Sequence, residues 1–148
     1  MEFFSKPINN LINQLSKLPS IGKKTATRLA YYIINLPEEE VQNLADAIIN
    51  AKNQVGFCSI CCNISDKDPC FICSDKERDS STICVVEDSR AIIAMEKSGE
   101  YKGKYHVLHG TISPTNSISP DMLKIRELVE RLADEKVQEV ILATNPTI

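Results

Sequence analysis

The stretch CSICCNISDKDPCFIC, residues 58–73, contains two pairs of cysteines with two residues between the members of each pair. Cys58 and Cys61 form the first pair, Cys70 and Cys73 form the second, and eight residues separate the pairs. Each pair can place two thiolates at adjacent corners of a tetrahedron, so two pairs complete a closed four-sulfur zinc site. A closed site leaves no coordination position for a substrate. The sequence therefore predicts a structural zinc rather than a catalytic one.

Two other uses of these cysteines are less favoured than zinc. A pair of disulfides needs an oxidising compartment, and two redox-active pairs this close together favour a metal instead. The adjacent Cys62 leaves the register open, because it could replace Cys61; we favour Cys61, which keeps the two pairs symmetrical. The segment shows no hydrophobic periodicity. A metal is therefore expected to fold it, with a binding energy of order 10–16 kcal/mol.

The residues that follow the cysteines alternate between strands and helices. Short apolar strands are predicted at 82–87 (TICVVE), 105–108 and 139–144 (EVILAT). One helix, capped by Ser89, is predicted to run to about Lys97 and to end at Ser98-Gly99. A second helix has apolar residues at helical spacing, namely Met122, Ile125, Leu128, Val129 and Leu132. This order, with right-handed crossovers, predicts a mainly parallel α/β sheet.

Three side chains of this α/β part resemble metal ligands but are not interpreted as ligands, and the two histidines among them are expected to be structural or surface residues. Cys84 lies inside an apolar strand and is expected to be a small buried hydrophobe. His106 and His109 have no acid or cysteine partner at ligand spacing. A parallel sheet is covered by helices on both faces, and only two helices are predicted before Ile148. We therefore expect the α/β domain to be incomplete at its C-terminal end.

The first 56 residues are predicted to form helices. The first helix has one apolar face, and Pro19 disfavours its continuation beyond Leu18. Gly22 is expected to supply a turn with positive φ before a second helix over 23–36. A third helix begins at Pro37 and carries three glutamates in its first turn, the favoured charge there. Its buried face is predicted to consist of Val41, Leu44, Ala45, Ile48 and Ile49.

The stretch LPSIGKKTA, residues 18–26, has the form of a helix–hairpin–helix turn. The second helix begins there with free backbone N–H groups, which bind phosphate, and Lys23 and Lys24 add positive charge. Arg28 lies four residues after Lys24, so both project from one helical face. The arrangement predicts binding to a nucleic-acid backbone without base readout. The alternative is an ordinary helical hairpin with exposed lysines.

The charge of the chain is unevenly distributed. Residues 1–35 carry a net charge of +4 and the remainder carries −7, within a total of −3 over 148 residues. The basic segment fits a contact with an anionic partner, although a solvated helix surface gives the same pattern. No apolar run approaches the roughly 18–20 residues of a membrane span, and MEFFSKPINN has no signal-peptide core. We therefore expect a cytoplasmic protein that does not associate with a membrane.

Together these segments resemble the bacterial RecR family of recombination mediators over essentially the whole chain. The matching stretches are LPSIGKKTATRLA (18–30), the cysteine segment (58–73), ICVVEDSRAI (83–92), YHVLHGTISP (105–114) and EVILATNPT (139–147). The resemblance implies a mixed α+β protein in three parts. These are a helical helix–hairpin–helix region (1–56), a four-cysteine zinc module (57–79) and a partial Toprim-like α/β domain (80–148).

The resemblance also implies a function and partners. RecR proteins are non-enzymatic, bind DNA with RecO, engage RecF, help load recombinase on gapped DNA, and assemble into homo-oligomeric rings. This implies a protein of the bacterial cytoplasm associated with the nucleoid. The family's DNA-contacting residues fall on Lys24 and Arg28, with Lys23 a further candidate on chemistry alone. The family's zinc ligands fall on Cys58, Cys61, Cys70 and Cys73.

The Toprim glutamate of the family falls on Glu87, at the carboxyl end of the first predicted strand of the α/β part. Catalytic Toprim domains pair this acid with a DxD motif that helps to hold magnesium, whereas Asn145-Pro146-Thr147 stands here. Glu87 and Asp88 alone would hold magnesium only loosely. We interpret both as a surface for basic residues of RecO. The alternatives are a metal-dependent Toprim enzyme fragment (nuclease, primase or topoisomerase) and a zinc scaffold that binds only protein.

Overall fold

The computed structural model describes residues 5–145, which fall into two compact units divided between Lys52 and Asn53. Glu2 of the basic segment and Pro146, Thr147 and Ile148 lie outside the described residues. Within residues 5–145, no helix is both long and apolar enough to span a bilayer.

The first unit contains the helices α1 (Lys6–Leu15) and α2 (Lys23–Ile34) and all but the last two residues of α3 (Glu38–Gln54). Its buried residues are Ile12 of α1 and Ala26 and Ala30 of α2. The two alanines have small side chains and lie one helical turn apart, so they let α1 approach α2 closely. Partly buried residues complete this contact, namely Ile8, Leu11, Leu15 and Ile21.

The turn between α1 and α2 differs from the prediction. Ser20 adopts the positive φ, at 64°, whereas Gly22 is extended with φ −78° and serves as the N-cap of α2. Ile21 N–H donates to Leu18 C=O at 3.1 Å and closes a four-residue turn from Leu18 to Ile21. Ser20 is the third residue of this turn, the position at which one left-handed residue suffices. A Cβ at Gly22 would meet no atom within 4 Å. The protein itself therefore does not require glycine at this position.

The prediction of a buried face on α3 is wrong. None of its side chains is buried, and Leu44, Ile48 and Ile49 are 44%, 63% and 54% exposed. In this unit α1 and α2 bury their apolar faces against each other, and the core includes no residue of α3. Hydrophobic periodicity identifies which face of a helix is apolar. It does not determine whether another element of the same chain covers that face.

The second unit begins with the cysteine segment. The short antiparallel strands β1 (Gly56–Phe57) and β2 (Ile64–Ser65) form its hairpin, and α4 (Phe71–Ser74) follows. The α/β part then contains β3 (Asp79–Val86), α5 (Ser89–Ser98), β4 (Gly103–Val107), α6 (Ile125–Leu132) and β5 (Glu139–Ala143). Two 3-10 turns, Pro114–Asn116 and Pro120–Met122, precede α6.

The three long strands form a parallel sheet in the order β4-β3-β5, which confirms the predicted sheet. Side chains of β3 alternate between two clusters, as the pleat of a strand requires. Cys84 and Val86 pack in the cluster that contains the cysteine segment and Ile92 of α5. Ile83 and Val85 pack in the cluster that contains Leu128 of α6. Each face of the central strand is therefore covered.

The ends of α5 show one confirmed prediction and one correction. Gly99 ends the helix in the left-handed conformation, with φ 69°. The N-cap, however, is Asp88 and not Ser89, because the Asp88 carboxylate accepts from Arg90 N–H and Ala91 N–H. Both residue types cap helices well, so the sequence alone could not separate neighbouring candidates. The Ser89 hydroxyl instead accepts from Ile64 N–H at 3.2 Å.

Candidate zinc centre and nucleic-acid interface

The sulfur atoms of Cys58, Cys61, Cys70 and Cys73 all lie within 4.8 Å of one another. Those of Cys61 and Cys70 are 3.5 Å apart. Four sulfurs placed tetrahedrally about 2.3 Å from a zinc ion are about 3.8 Å apart. The four side chains therefore fit a closed tetrahedral zinc site, with three of them buried and Cys73 partly buried.

Local backbone structure brings these sulfurs together. Cys58 follows β1, and its carbonyl accepts from Cys62 N–H at 2.9 Å, which curls the first pair into a turn. Cys70 is the N-cap of α4 and Cys73 lies within that helix, so one helical turn presents the second pair. The two halves are linked because Cys70 N–H donates to the Cys58 sulfur at 3.3 Å.

The thiols of this cluster differ in acidity. Burial raises the pKa of Cys58, but N–H donors from Cys70, Cys61 and Ile60 outweigh burial and lower that pKa to about 7. A hydrogen bond with Cys73 and burial both raise the pKa of Cys61, and burial raises the pKa of Cys70 to about 11. Sulfurs this crowded ionise together only beside a cation. Zinc supplies that charge when it binds.

Cys62 lies outside the sulfur cluster, so the structure favours the register with Cys61. Its backbone has a positive φ of 60°, and its carbonyl accepts from the His109 ring Nε2 at 2.6 Å. Burial raises the pKa of the Cys62 thiol. Cys62 therefore helps to join the cysteine segment to the end of β4, where the His109 ring also packs edge-on against Phe57.

A buried lysine joins the same two segments, and no sequence pattern indicated this role. Lys104 lies in β4 and is only 8% exposed. Its ammonium donates to three backbone carbonyls around α4, those of Ile72 (2.8 Å), Cys73 (3.3 Å) and Asp75 (2.6 Å). No sequence pattern distinguishes a strand lysine that binds backbone carbonyls from an exposed one. The carbonyls it binds become neighbours only when the chain folds.

The two remaining candidate ligands of the α/β part are structural. Cys84 is fully buried, with its thiol 3.9 Å from the Met95 sulfur. His106 is also fully buried, and its ring nitrogens contact Lys124 C=O (2.7 Å) and the Arg131 guanidinium (3.1 Å). Burial lowers the pKa of His106, because it disfavours the charged imidazolium. Both side chains stabilise the sheet and lie outside the zinc cluster.

The three basic residues predicted to bind DNA lie in α2. Lys23, Lys24 and Arg28 are all exposed, and within residues 5–145 none of them forms an ion pair. The N-cap Gly22 has no side chain, so no side chain caps the start of α2, and its first turn contains no acid. The backbone N–H groups at this helix start therefore remain available to an external acceptor.

The two acids predicted to bind a partner have different environments. Glu87 follows β3 and is partly exposed, and its carboxylate accepts from the Asn145 side chain at 2.8 Å. Asp88 caps α5 and pairs with the Arg90 guanidinium, which lowers the pKa of Asp88. Glu87 is therefore the more available of the two carboxylates for a partner.

Comparison with known proteins agrees with these features. Family models for the RecR helix-hairpin-helix, the four-cysteine RecR zinc finger domain and the Toprim domain match residues 8–52, 55–75 and 81–148. Recombination protein RecR of Heliobacterium modesticaldum (strain ATCC 51547 / Ice1) is 49% identical over 148 residues. That match covers 100% of this chain and 74% of the relative. The chain belongs to the RecR family.

Membership of the RecR family identifies the chain as a recombination-repair protein with a helix–hairpin–helix, a structural zinc and a Toprim fold. The zinc-finger model spans all four cysteines of the sulfur cluster, and the helix–hairpin–helix model spans all three basic residues of α2. The two candidate sites thus lie in separate segments of a RecR fold.

Proposed function

We propose that this chain is a non-enzymatic mediator of recombinational repair that binds the DNA backbone through α2. The proposal rests on the start of α2, which no side chain caps, and on the exposed Lys23, Lys24 and Arg28 beside it. A helix N-terminus carries partial positive charge and directs N–H groups outward, which favours a phosphate oxygen. The cations add attraction that does not depend on sequence.

The environment of Gly22 supports a close contact with a phosphate. A Cβ at this position would project into open space, so packing within the protein does not require glycine. The absence of a side chain leaves the N–H groups of the first turn of α2 accessible to a ligand. Lys24 and Arg28 lie four residues apart on one face of α2. They can therefore contact phosphates of the same DNA strand next to the one bound at the start of the helix.

The α/β part supports docking rather than catalysis. Glu87 is hydrogen-bonded to an amide beyond the end of β5, where a catalytic pair would need a second carboxylate. We propose that Glu87, with Asp88 beside it, receives basic side chains of RecO, and that RecF is a second protein partner. Together these contacts would position the protein to help load recombinase on gapped DNA. Such a role would associate the protein with the bacterial nucleoid.

The proposed organisation retains the three segments 1–56, 57–79 and 80–148, assembled as a homo-oligomeric ring. The cysteine segment and the α/β segment share one hydrophobic cluster, so zinc supports the sheet as well as its own loop. The uncovered apolar face of α3 is consistent with self-association.

The DNA-binding proposal is tested by fluorescence anisotropy on labelled single-stranded and duplex DNA across a salt series. We expect Lys24→Ala/Arg28→Ala to weaken binding and to flatten the plot of log K against log salt. The slope should change by about 0.7–0.9 for each phosphate that the variant no longer neutralises. Lys52→Ala, which removes an exposed lysine from the last turn of α3, is the matched control. Sedimentation velocity is the check that all variants have the same oligomeric state. An unchanged slope in the double variant contradicts the proposal.

The partner proposal is tested by isothermal titration of RecO into the chain. Glu87→Lys should reduce the affinity at least tenfold, because an attractive contact becomes repulsive. Glu100→Lys reverses a charge at another exposed position and should leave the affinity unchanged. Equal affinities of the wild type and Glu87→Lys would show that RecO binds elsewhere. Incubation of plasmid DNA with magnesium tests the enzyme alternative, and cleavage or strand passage would support it.

A further inference from the structure

Two side chains from separate parts of the sequence meet at the carboxyl edge of the parallel sheet. Val86 of β3 pairs with Ala143 of β5, so the residues that follow these strands emerge side by side. Glu87 comes directly after β3 and Asn145 lies two residues beyond β5. The Asn145 amide nitrogen donates to the Glu87 carboxylate at 2.8 Å.

The backbone near Glu87 is also fixed. Its carbonyl accepts from Gly110 N–H at 3.0 Å, which ties the end of β3 to the segment after β4. The neighbouring Asp88 carboxylate is directed to the start of α5, where it accepts from Arg90 N–H at 2.8 Å. Asp88 is thus engaged away from the Asn145 amide, and Glu87 is the acid that Asn145 contacts.

The chemistry of position 145 decides what the Glu87 carboxylate can bind. An amide brings a neutral donor that compensates the carboxylate without a metal. A carboxylate at the same distance would place two negative charges about 3 Å apart, an arrangement that demands a shared proton or a cation. Carboxylate oxygens are ligands that Mg²⁺ and Mn²⁺ prefer. Replacing the amide nitrogen at position 145 by a carboxylate oxygen would therefore change this edge of the sheet from one that needs no metal to one that binds a metal.

We infer that Asn145 is a positioning residue whose neutral amide holds the Glu87 carboxylate in place, so that this edge of the sheet does not call for a divalent cation as a pair of carboxylates would. The consequence is a single fixed carboxylate at the sheet edge, with its remaining lone pairs free to accept from a cationic side chain. Only the Asn145–Glu87 pair is required for this role. Whether RecO is the partner does not affect it.

The test measures binding of Mn²⁺ to the zinc-loaded full chain by electron paramagnetic resonance of the free ion. Asn145→Asp should bind Mn²⁺ at least tenfold more tightly than the wild type, and Mg²⁺ should compete. Adding Glu87→Gln to Asn145→Asp should abolish the gain, because both carboxylates are required. Asn50→Asp, which adds the same charge on an exposed face of α3, should bind Mn²⁺ as the wild type does.

Zinc content and circular dichroism establish that each variant is folded, so a loss of structure is not mistaken for a loss of binding. Two results would overturn the inference. One is a wild-type chain that already binds Mn²⁺ as tightly as Asn145→Asp, with binding abolished in Glu87→Gln. The other is a folded Asn145→Asp variant that gains no affinity.

Discussion

Replacing Lys104 with methionine tests how the cysteine segment is held to the sheet. Lys104 projects from β4 and its ammonium donates to the carbonyls of Ile72, Cys73 and Asp75, at 2.8, 3.3 and 2.6 Å. The first two carbonyls belong to α4, whose N-cap and third residue are zinc ligands, and the third carbonyl directly follows this helix. Methionine retains the length of the buried stem, so Lys104→Met removes the donors without opening a large cavity.

The expected decrease in stability follows from the hydrogen bonds that the carbonyls no longer make. Each buried acceptor left without a donor costs about 1–3 kcal/mol, so three acceptors give an upper limit of about 9 kcal/mol. Two effects reduce this value. The variant no longer buries an ammonium, which itself costs several kcal/mol, and water reaches some of the carbonyls. We therefore expect Lys104→Met to lower the free energy of unfolding by about 3 kcal/mol.

Urea unfolding of the zinc-loaded protein, followed by circular dichroism, measures this decrease directly. Lys102→Met is the matched control, because Lys102 is exposed and two residues away, and its effect should stay within about 0.5 kcal/mol. Lys104→Met should also release zinc to a chelator faster than the wild type. If Lys104→Met and Lys102→Met unfold at the same urea concentration, the ammonium does not hold the two segments together.

Three further predictions concern the metal, a buried histidine and a helix cap. Removing zinc with a chelator should unfold the cysteine segment and loosen β3 and β4, which pack in the same cluster; unchanged amide exchange in both strands would contradict this. Burial lowers the pKa of His106, so as the pH falls the unfolded chain binds a proton at this residue before the folded chain does. The free energy of unfolding should therefore decrease below about pH 6.5, and His106→Gln should weaken this dependence on pH. Asp88→Ala should cost about 1 kcal/mol in urea unfolding through removal of the α5 cap, against little change for the exposed Asp66→Ala.

Much of the fold followed from local patterns in the sequence. The alternation of strands and helices identified the parallel sheet. Short apolar runs typical of strands and apolar residues at helical spacing are easily told apart in a sequence. The cysteine spacing identified the metal cluster because two ligands with two residues between them meet within a single turn. In both cases the residues that interact lie close together in the sequence or follow a regular period.

The features that could not be predicted depend on interactions between distant residues. Lys104 reaches carbonyls about 30 residues earlier in the chain, and Asn145 meets Glu87 across 58 residues. No short-range pattern encodes such pairs. The exposed face of α3 was mispredicted for a related reason, because an amphipathic pattern does not specify its covering partner. At Ser20 the turn uses a left-handed serine, which composition alone does not favour over glycine.

Amide hydrogen exchange with mass spectrometry, with and without bound DNA, distinguishes α2 from the zinc segment as the DNA-binding element. We expect DNA to slow exchange in peptides covering residues 20–30, because phosphate oxygens accept from the N–H groups at the start of α2. Peptides covering residues 58–75 should exchange at unchanged rates in the zinc-loaded protein. Slower exchange confined to residues 58–75, with residues 20–30 unaffected, would show that DNA binds the zinc segment and would contradict the assignment of DNA binding to α2.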